Sequence, residues 1–215
     1  MLIYTALGDS ITFGQSASST AKAYPQLVVS ALGARAVKAR SYVLAQPGWT
    51  SAELADALTW WDPHIIHRSK VITVWIGGVD LLLASLASIG NPRTLDSRKL
   101  MANYHRNMRA ILCEIKRVSS ARIICCTQYN PFPNSSIAVH WINQLNLAIE
   151  GIAKLYRAGV APVHAWFKGK QADLIHGYRK GEIEDALKGS PPIHPNNRGH
   201  LIIAKGLLPY LLSAN

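Results

Sequence analysis

Acid is the scarcest chemistry in this chain: Asp and Glu number 12 among 215 residues, and charged residues of both signs make only 16%. An average globular protein carries roughly 25%. The remainder is 49% hydrophobic, enough apolar surface to build a core, which excludes intrinsic disorder. Cysteine is scarce too. Cys113, Cys125 and Cys126 are an odd number, two of them adjacent in an apolar run, so neither a disulfide framework nor zinc-ligand spacing is present. Buried, reduced thiols and a cytoplasmic setting are expected, with no metal or organic cofactor. Met1-Leu2-Ile3-Tyr4 shows no basic region leading into a long apolar stretch and cleavage site, so no secretory signal is expected.

Long hydrophobic runs are also lacking, with one exception at 71–90 that approaches the length of a bilayer span. Asp80 lies at its centre beside Gly77-Gly78. Burying that carboxylate in lipid costs on the order of 2.5–3.5 kcal/mol, so a buried strand, a loop and a helix account for the segment better.

What the chain has in excess is positive charge, a formal +11 with a pI near 9.8. Eight basic residues fall between Arg93 and Arg122, against Asp96 and Glu114. They interleave with an apolar stripe, the pattern of a solvated helix face rather than a phosphate-binding surface. No finger, homeodomain or RNA-recognition signature occurs, and no nucleic-acid partner is expected.

Along the chain, strand and helix signals alternate. Strands are predicted at 1–7, 37–44, 70–76, 122–127 and 160–163. Helices are predicted at 23–32, from a Ser51 cap towards Trp60, along Leu100, Tyr104, Met108 and Leu112, and from Ser136 to about Gly159. A last helix spans 197–212, and 167–192, rich in Lys and Gly, reads as an irregular surface excursion. Alternation with short connections predicts one α/β domain over 1–215, a parallel sheet with helices on both faces.

In such a sheet, ligands bind beyond the carboxyl ends of the strands. Four segments fall there: Gly8-Asp9-Ser10, Pro47-Gly48-Trp49, Gly77-Gly78-Val79-Asp80 and Ile193-His194-Pro195-Asn196. A serine hydroxyl in a strand-to-helix turn and a histidine at the same sheet mouth are the parts of a nucleophile and its base. Taken singly, each is a common loop residue. Gly-Asp-Ser-Ile-Thr-Phe-Gly near one end and His-Pro-Asn-Asn-Arg-Gly-His near the other, taken together, resemble the SGNH (GDSL-type) hydrolase family from end to end.

The resemblance implies a three-layer α/β/α, flavodoxin-like fold and serine-dependent cleavage of small esters, with short acyl chains expected. It assigns Ser10 as nucleophile, His194 as general base, and the N–H groups of Ser10 and Gly48 as oxyanion donors; Gly48 also reads as a plain turn glycine after Pro47. Asp9 and Asp80 are expected to brace loops, and His200 to pack. Trp49 either lines an acyl pocket or covers the sheet edge.

Two positions depart from the family pattern. Its oxyanion asparagine is here Val79, and losing such a donor costs about 10²–10³ in kcat. Asn130 and Gln128 are the alternative amides. Its triad carboxylate, three residues before the histidine, is here Pro191, and that group is worth on the order of 10⁴ in serine proteases. Glu182, Glu184 or Asp185 folding back to His194 is the favoured replacement, a backbone carbonyl of Pro191 or Pro192 the other. These two losses also fit a rival reading, a binding module that keeps the fold without catalysis. The leaving group and oligomeric state have no sequence signal.

Overall fold

The computed structural model describes residues 1–87 and 97–212, so Gly90, Arg93 and Asp96 lie outside the described residues. β1 (Leu2–Gly8) runs into α1 (Ser10–Phe13), and α2 (Tyr24–Gly33) leads to β2 (Ala39–Ala45). Next come α3 (Ser51–Trp60), α4 (Pro63–Arg68), β3 (Val71–Trp75), α5 (Gly78–Ala87) and α6 (Ser97–Val118). The chain then continues through β4 (Arg122–Cys126), α7 (Ser136–Leu155), β5 (Gly159–Ala161), α8 (Val163–Phe167), α9 (Gln171–Leu174) and α10 (Asn197–Leu212).

The five strands pair in parallel in the order β2-β1-β3-β4-β5, with Gly8 opposite Ala45 on one side and Trp75 on the other. This is the flavodoxin-like order, a three-layer α/β/α fold. The winding reverses between β1 and β3, which opens a crevice at their carboxyl ends. That crevice receives the loops carrying Ser10 and Gly78.

Successive strand residues point to opposite faces, so each strand feeds two cores. Leu7, Ile72, Val74, Ile123 and Cys125 pack with Leu54 of α3, Met108 and Ile111 of α6, and Ile149 of α7. Tyr4, Trp75, Ile124 and Cys126 pack on the other face with Val28 of α2, Phe167 of α8, and Ile203 and Leu207 of α10. Strands covered on both sides need no polar alternation, which is why β3 is buried along its whole length.

The predicted elements are present within a few residues of their expected ends. α4 was missed although its start is written in the chain: Asp62 caps it by accepting from the His64 N–H, with Pro63 at the first helical position. The cap of α3 is Thr50, not Ser51. Thr50 and Glu53 form a reciprocal capping box, worth about 1 kcal/mol.

The 167–192 segment is not simply a surface excursion. Phe167, Leu174 and Ile175 are buried, Ile175 bridges Pro195 in antiparallel fashion, and a short 3₁₀ turn covers Ile183–Leu187.

Candidate active site

β1 ends at Gly8, where a Cβ would collide with the Thr12 side chain and the Trp75 carbonyl, so only glycine lets the chain turn this tightly against β3. Asp9 then caps α1, its carboxylate accepting from the Ile11 N–H at 3.0 Å. Burial, with a smaller contribution from the Asp80 charge, pushes the Asp9 carboxyl up to about 7. The cap places Ser10 at the first position of α1, 7% exposed.

His194 reaches Ser10 from the opposite end of the chain, with Ser10 Oγ 2.9 Å from His194 Nε2. Its loop is held by backbone bonds to the segment around α9: the His176 N–H donates to the His194 carbonyl at 2.9 Å and the Asn196 N–H to the Leu174 carbonyl at 2.8 Å. The Tyr129 hydroxyl donates to the Ile193 carbonyl. Burial, and secondarily His176, lowers the His194 pKa to about 4, so the ring is neutral at pH 7 and able to accept the Ser10 proton.

The two sequence-predicted aspartates are structural ties. Half-buried Asp80 accepts from the Ser51 N–H at 2.8 Å and the Ser51 hydroxyl at 2.5 Å, joining the starts of α5 and α3. Asn107 Nδ2 donates to the same hydroxyl at 3.0 Å and brings in α6. His200 packs as expected: it is fully buried, stacked on Tyr24, and its Nδ1 accepts from the Tyr24 N–H at 3.4 Å.

Gly48 stands in a turn closed by the Trp49 N–H donating to the Gln46 carbonyl at 3.3 Å. Its φ of 85° after Pro47 is the type II arrangement that favours glycine. It is exposed and outside the cavity at Ser10. Trp49 packs on the core beneath α3 and α6 and lies outside that cavity too, which decides for the covering role over the acyl-lining one.

The expectation that Glu182, Glu184 or Asp185 partners His194 is overturned. Asp185 is buried but turned inwards: Oδ2 accepts from the N–H groups of Lys180, Gly181 and Glu182 at 2.8, 2.8 and 3.4 Å. Glu182 and Glu184 are exposed. Among the described residues no carboxylate lies within ion-pair distance of His194. Nor do the carbonyls of Pro191 and Pro192 bond its ring; the Pro191 carbonyl instead accepts from the Ile193 N–H at 2.9 Å.

Beside Ser10 and His194 opens a cavity of about 400 Å³. Its wall is mostly apolar, built by Leu81 and Leu82 of α5, Ile137, Trp141 and Ile142 of α7, and Phe132, Ile183 and Ile193 from loops. Val79 faces it, and so does Gln128, two residues past β4. Gln128 Oε1 accepts from Trp75 Nε1 at 3.0 Å, while its Nε2 is buried beside Gly78 without a hydrogen-bond partner. Leaving such a donor unsatisfied costs about 1–3 kcal/mol, and of the side chains lining this cavity it is Gln128 that carries one. Asn130 also lines the cavity, its Oδ1 accepting from the Phe132 N–H at 2.8 Å. Among the described residues no group of three His, Cys, Asp or Glu side chains is placed to hold a metal ion.

The profile of the GDSL-like lipase/acylhydrolase family matches residues 6–202. The spore germination lipase LipC of Bacillus licheniformis is 25% identical, over 96% of this chain and 94% of its own. In structure, the lipase Lip_vut3 from a goat rumen metagenome superposes with a TM-score of 0.80 at 23% identity, covering 96% of both chains. The acetylxylan esterase Axe2 of Geobacillus stearothermophilus gives 0.74 at 17% identity, covering 99% of this chain and 95% of its own.

Proposed function

Because the chain belongs to the GDSL-like lipase/acylhydrolase family and is a carboxylic ester hydrolase, we propose that it cleaves esters through an acyl-enzyme on Ser10, with His194 as general base. The observation that carries this reading is the Ser10–His194 hydrogen bond of 2.9 Å at the edge of the apolar cavity. Ser10 Oγ attacks the ester carbonyl as its proton passes to His194 Nε2. The oxyanion is held by the Ser10 N–H at the start of α1; Gly48, exposed and outside the cavity, stands as the turn glycine after Pro47. Collapse of the tetrahedral intermediate breaks the ester C–O bond, and His194 returns the proton to the leaving alkoxide. Water then repeats the sequence on the acyl-enzyme, releasing the acid and restoring Ser10.

Gln128 supplies the side-chain donor that Val79 lacks, since its unpartnered Nε2 lies in the wall beside Gly78. The cavity supports a longer acyl group than the short chains expected from sequence. A methylene takes roughly the 30 Å³ of a water molecule, so an eight-carbon acyl chain takes about 240 Å³ and leaves the rest of the cavity for the ester group and alcohol, whereas an acetyl group leaves most of it empty. No described helix is long and apolar enough to cross a membrane, and three free thiols suit a reducing, cytoplasmic setting.

The test is a series of p-nitrophenyl esters from acetate to dodecanoate. kcat/KM should peak near the octanoate, and Ser10→Ala should lose about 10³-fold or more. A fluorophosphonate should label Ser10 alone. Gln128→Leu should lower kcat about 10²-fold with little change in KM, as expected of a donor used mainly in the transition state. Wild-type turnover by Ser10→Ala would end the mechanism; a maximum at the acetate would end the acyl-length assignment.

A further inference from the structure

We infer that this enzyme has a second site, across His194 from Ser10, which binds a small carboxylate anion in the place of the missing triad acid. His194 lines two cavities. The apolar one contains Ser10; the other, of about 230 Å³, does not, and is walled by Ser16, His176, Arg179, Ser190 and Pro191. The imidazole therefore separates them. Its Nε2 is engaged by Ser10, which leaves Nδ1 as the ring nitrogen available to the second cavity. Pro191 stands where the resemblance puts the family's carboxylate, and its ring brings no acceptor to that space.

The lining is cationic and rich in donors. Arg179 Nη1 donates to the Asp185 carbonyl at 2.8 Å, which fixes the guanidinium at the wall and leaves its other N–H groups for a bidentate carboxylate. Ser16 and Ser190 add hydroxyls, and among the described residues no Asp or Glu lines the cavity. Asp185, the one buried acid of the neighbouring turn, is saturated by backbone N–H groups. An anion seated here accepts from His194 Nδ1–H, fixes the tautomer whose Nε2 takes the Ser10 proton, and faces the imidazolium as it forms. It remains ionised throughout and exchanges no proton. Formate and acetate are of the right size and charge.

This inference rests on His194 being the base for Ser10, and the experiment separates the two. Initial rates are measured in a carboxylate-free buffer with rising sodium formate, ionic strength being held constant with sodium chloride. kcat should rise saturably by roughly tenfold or more, a part of the ~10⁴ that the acid contributes in serine proteases. Arg179→Gln should flatten the response, and Pro191→Asp should raise the formate-free kcat and remove it. In parallel, formate is titrated into ¹⁵N-histidine-labelled Ser10→Ala protein, where it should move the His194 Nδ1 resonance saturably. That readout does not depend on turnover. A rate no more sensitive to formate than to chloride, together with an unmoved His194 resonance, would overturn the second site while leaving Ser10 and His194 in place. Persistent turnover by Ser10→Ala would instead overturn the nucleophile.

Discussion

At the scale of single residues, the unusual member of the site is His194. A free imidazole titrates near 6.5, but burial and the neighbouring His176 hold this one down at about 4. A base of low pKa stays neutral, and so available to Ser10, far into the acid range. As pH falls, kcat/KM should therefore hold through pH 6 and decline with a midpoint near 4, measured in buffers free of carboxylates. A limb at 6.5 would show that the ring is solvated. The low pKa also makes His194 a weak proton acceptor, which is the deficit a facing carboxylate corrects: an anion at Nδ1 raises the pKa and should move the acid limb upwards.

At the scale of elements, the site depends on how loops and helix starts are tied together. Asp80 joins α5 to α3 through Ser51, and Asn107 of α6 joins the same hydroxyl, so the wall next to Val79 is anchored from three helices. The turn at 180–185 is organised by the Asp185 carboxylate and its three backbone donors. That arrangement makes Asp185 a structural acid. Glu182→Gln and Glu184→Gln should keep wild-type kcat and stability. Asp185→Asn should keep kcat within about twofold on a short ester while destabilising by about 1–3 kcal/mol, because a neutral amide oxygen is a weaker acceptor than the carboxylate for three backbone donors. A thermal melt and a single-ester assay on each variant check this, and a fall in kcat of an order of magnitude or more at Asp185→Asn would restore it as the triad acid.

At the scale of the whole molecule, two features stand against each other. A parallel sheet covered on both faces gives two extensive cores, while the surface carries a formal charge of +11. Arg117 pairs with Glu114 at 2.6 Å, but 23 basic side chains against 12 acidic ones leave a net excess of positive charge whose self-repulsion opposes the compact state. Raising the ionic strength shortens the Debye length from about 30 Å at 0.01 M to about 8 Å at 0.15 M. Tm should accordingly rise between these salt concentrations in a calorimetric scan. A Tm that falls with salt would mean that attractive surface pairs dominate.

The sequence by itself determined the alternation of strands and helices, because apolar period and turn residues are local signals. It also marked the two segments that the fold brings together at the candidate site. Gly8-Asp9-Ser10 and His194-Pro195-Asn196 are short motifs, legible because each must build its own turn. Even the structural roles of Asp9 and Asp80 could be read from their places at strand ends. Local signals do not extend to partners distant in the chain. Gln128 became a candidate donor only once Trp75 occupied its oxygen and the fold buried its nitrogen beside Gly78. Asp185 was near His194 in sequence, and only tertiary structure showed its carboxylate turned onto its own backbone. The segment around α9 looked irregular because its order comes from Ile175 bridging Pro195, a contact that no period within the segment encodes. The cavity behind His194 is likewise a property of packing: sequence shows that Pro191 is no acid, and only the folded chain shows a space beside it lined by Arg179.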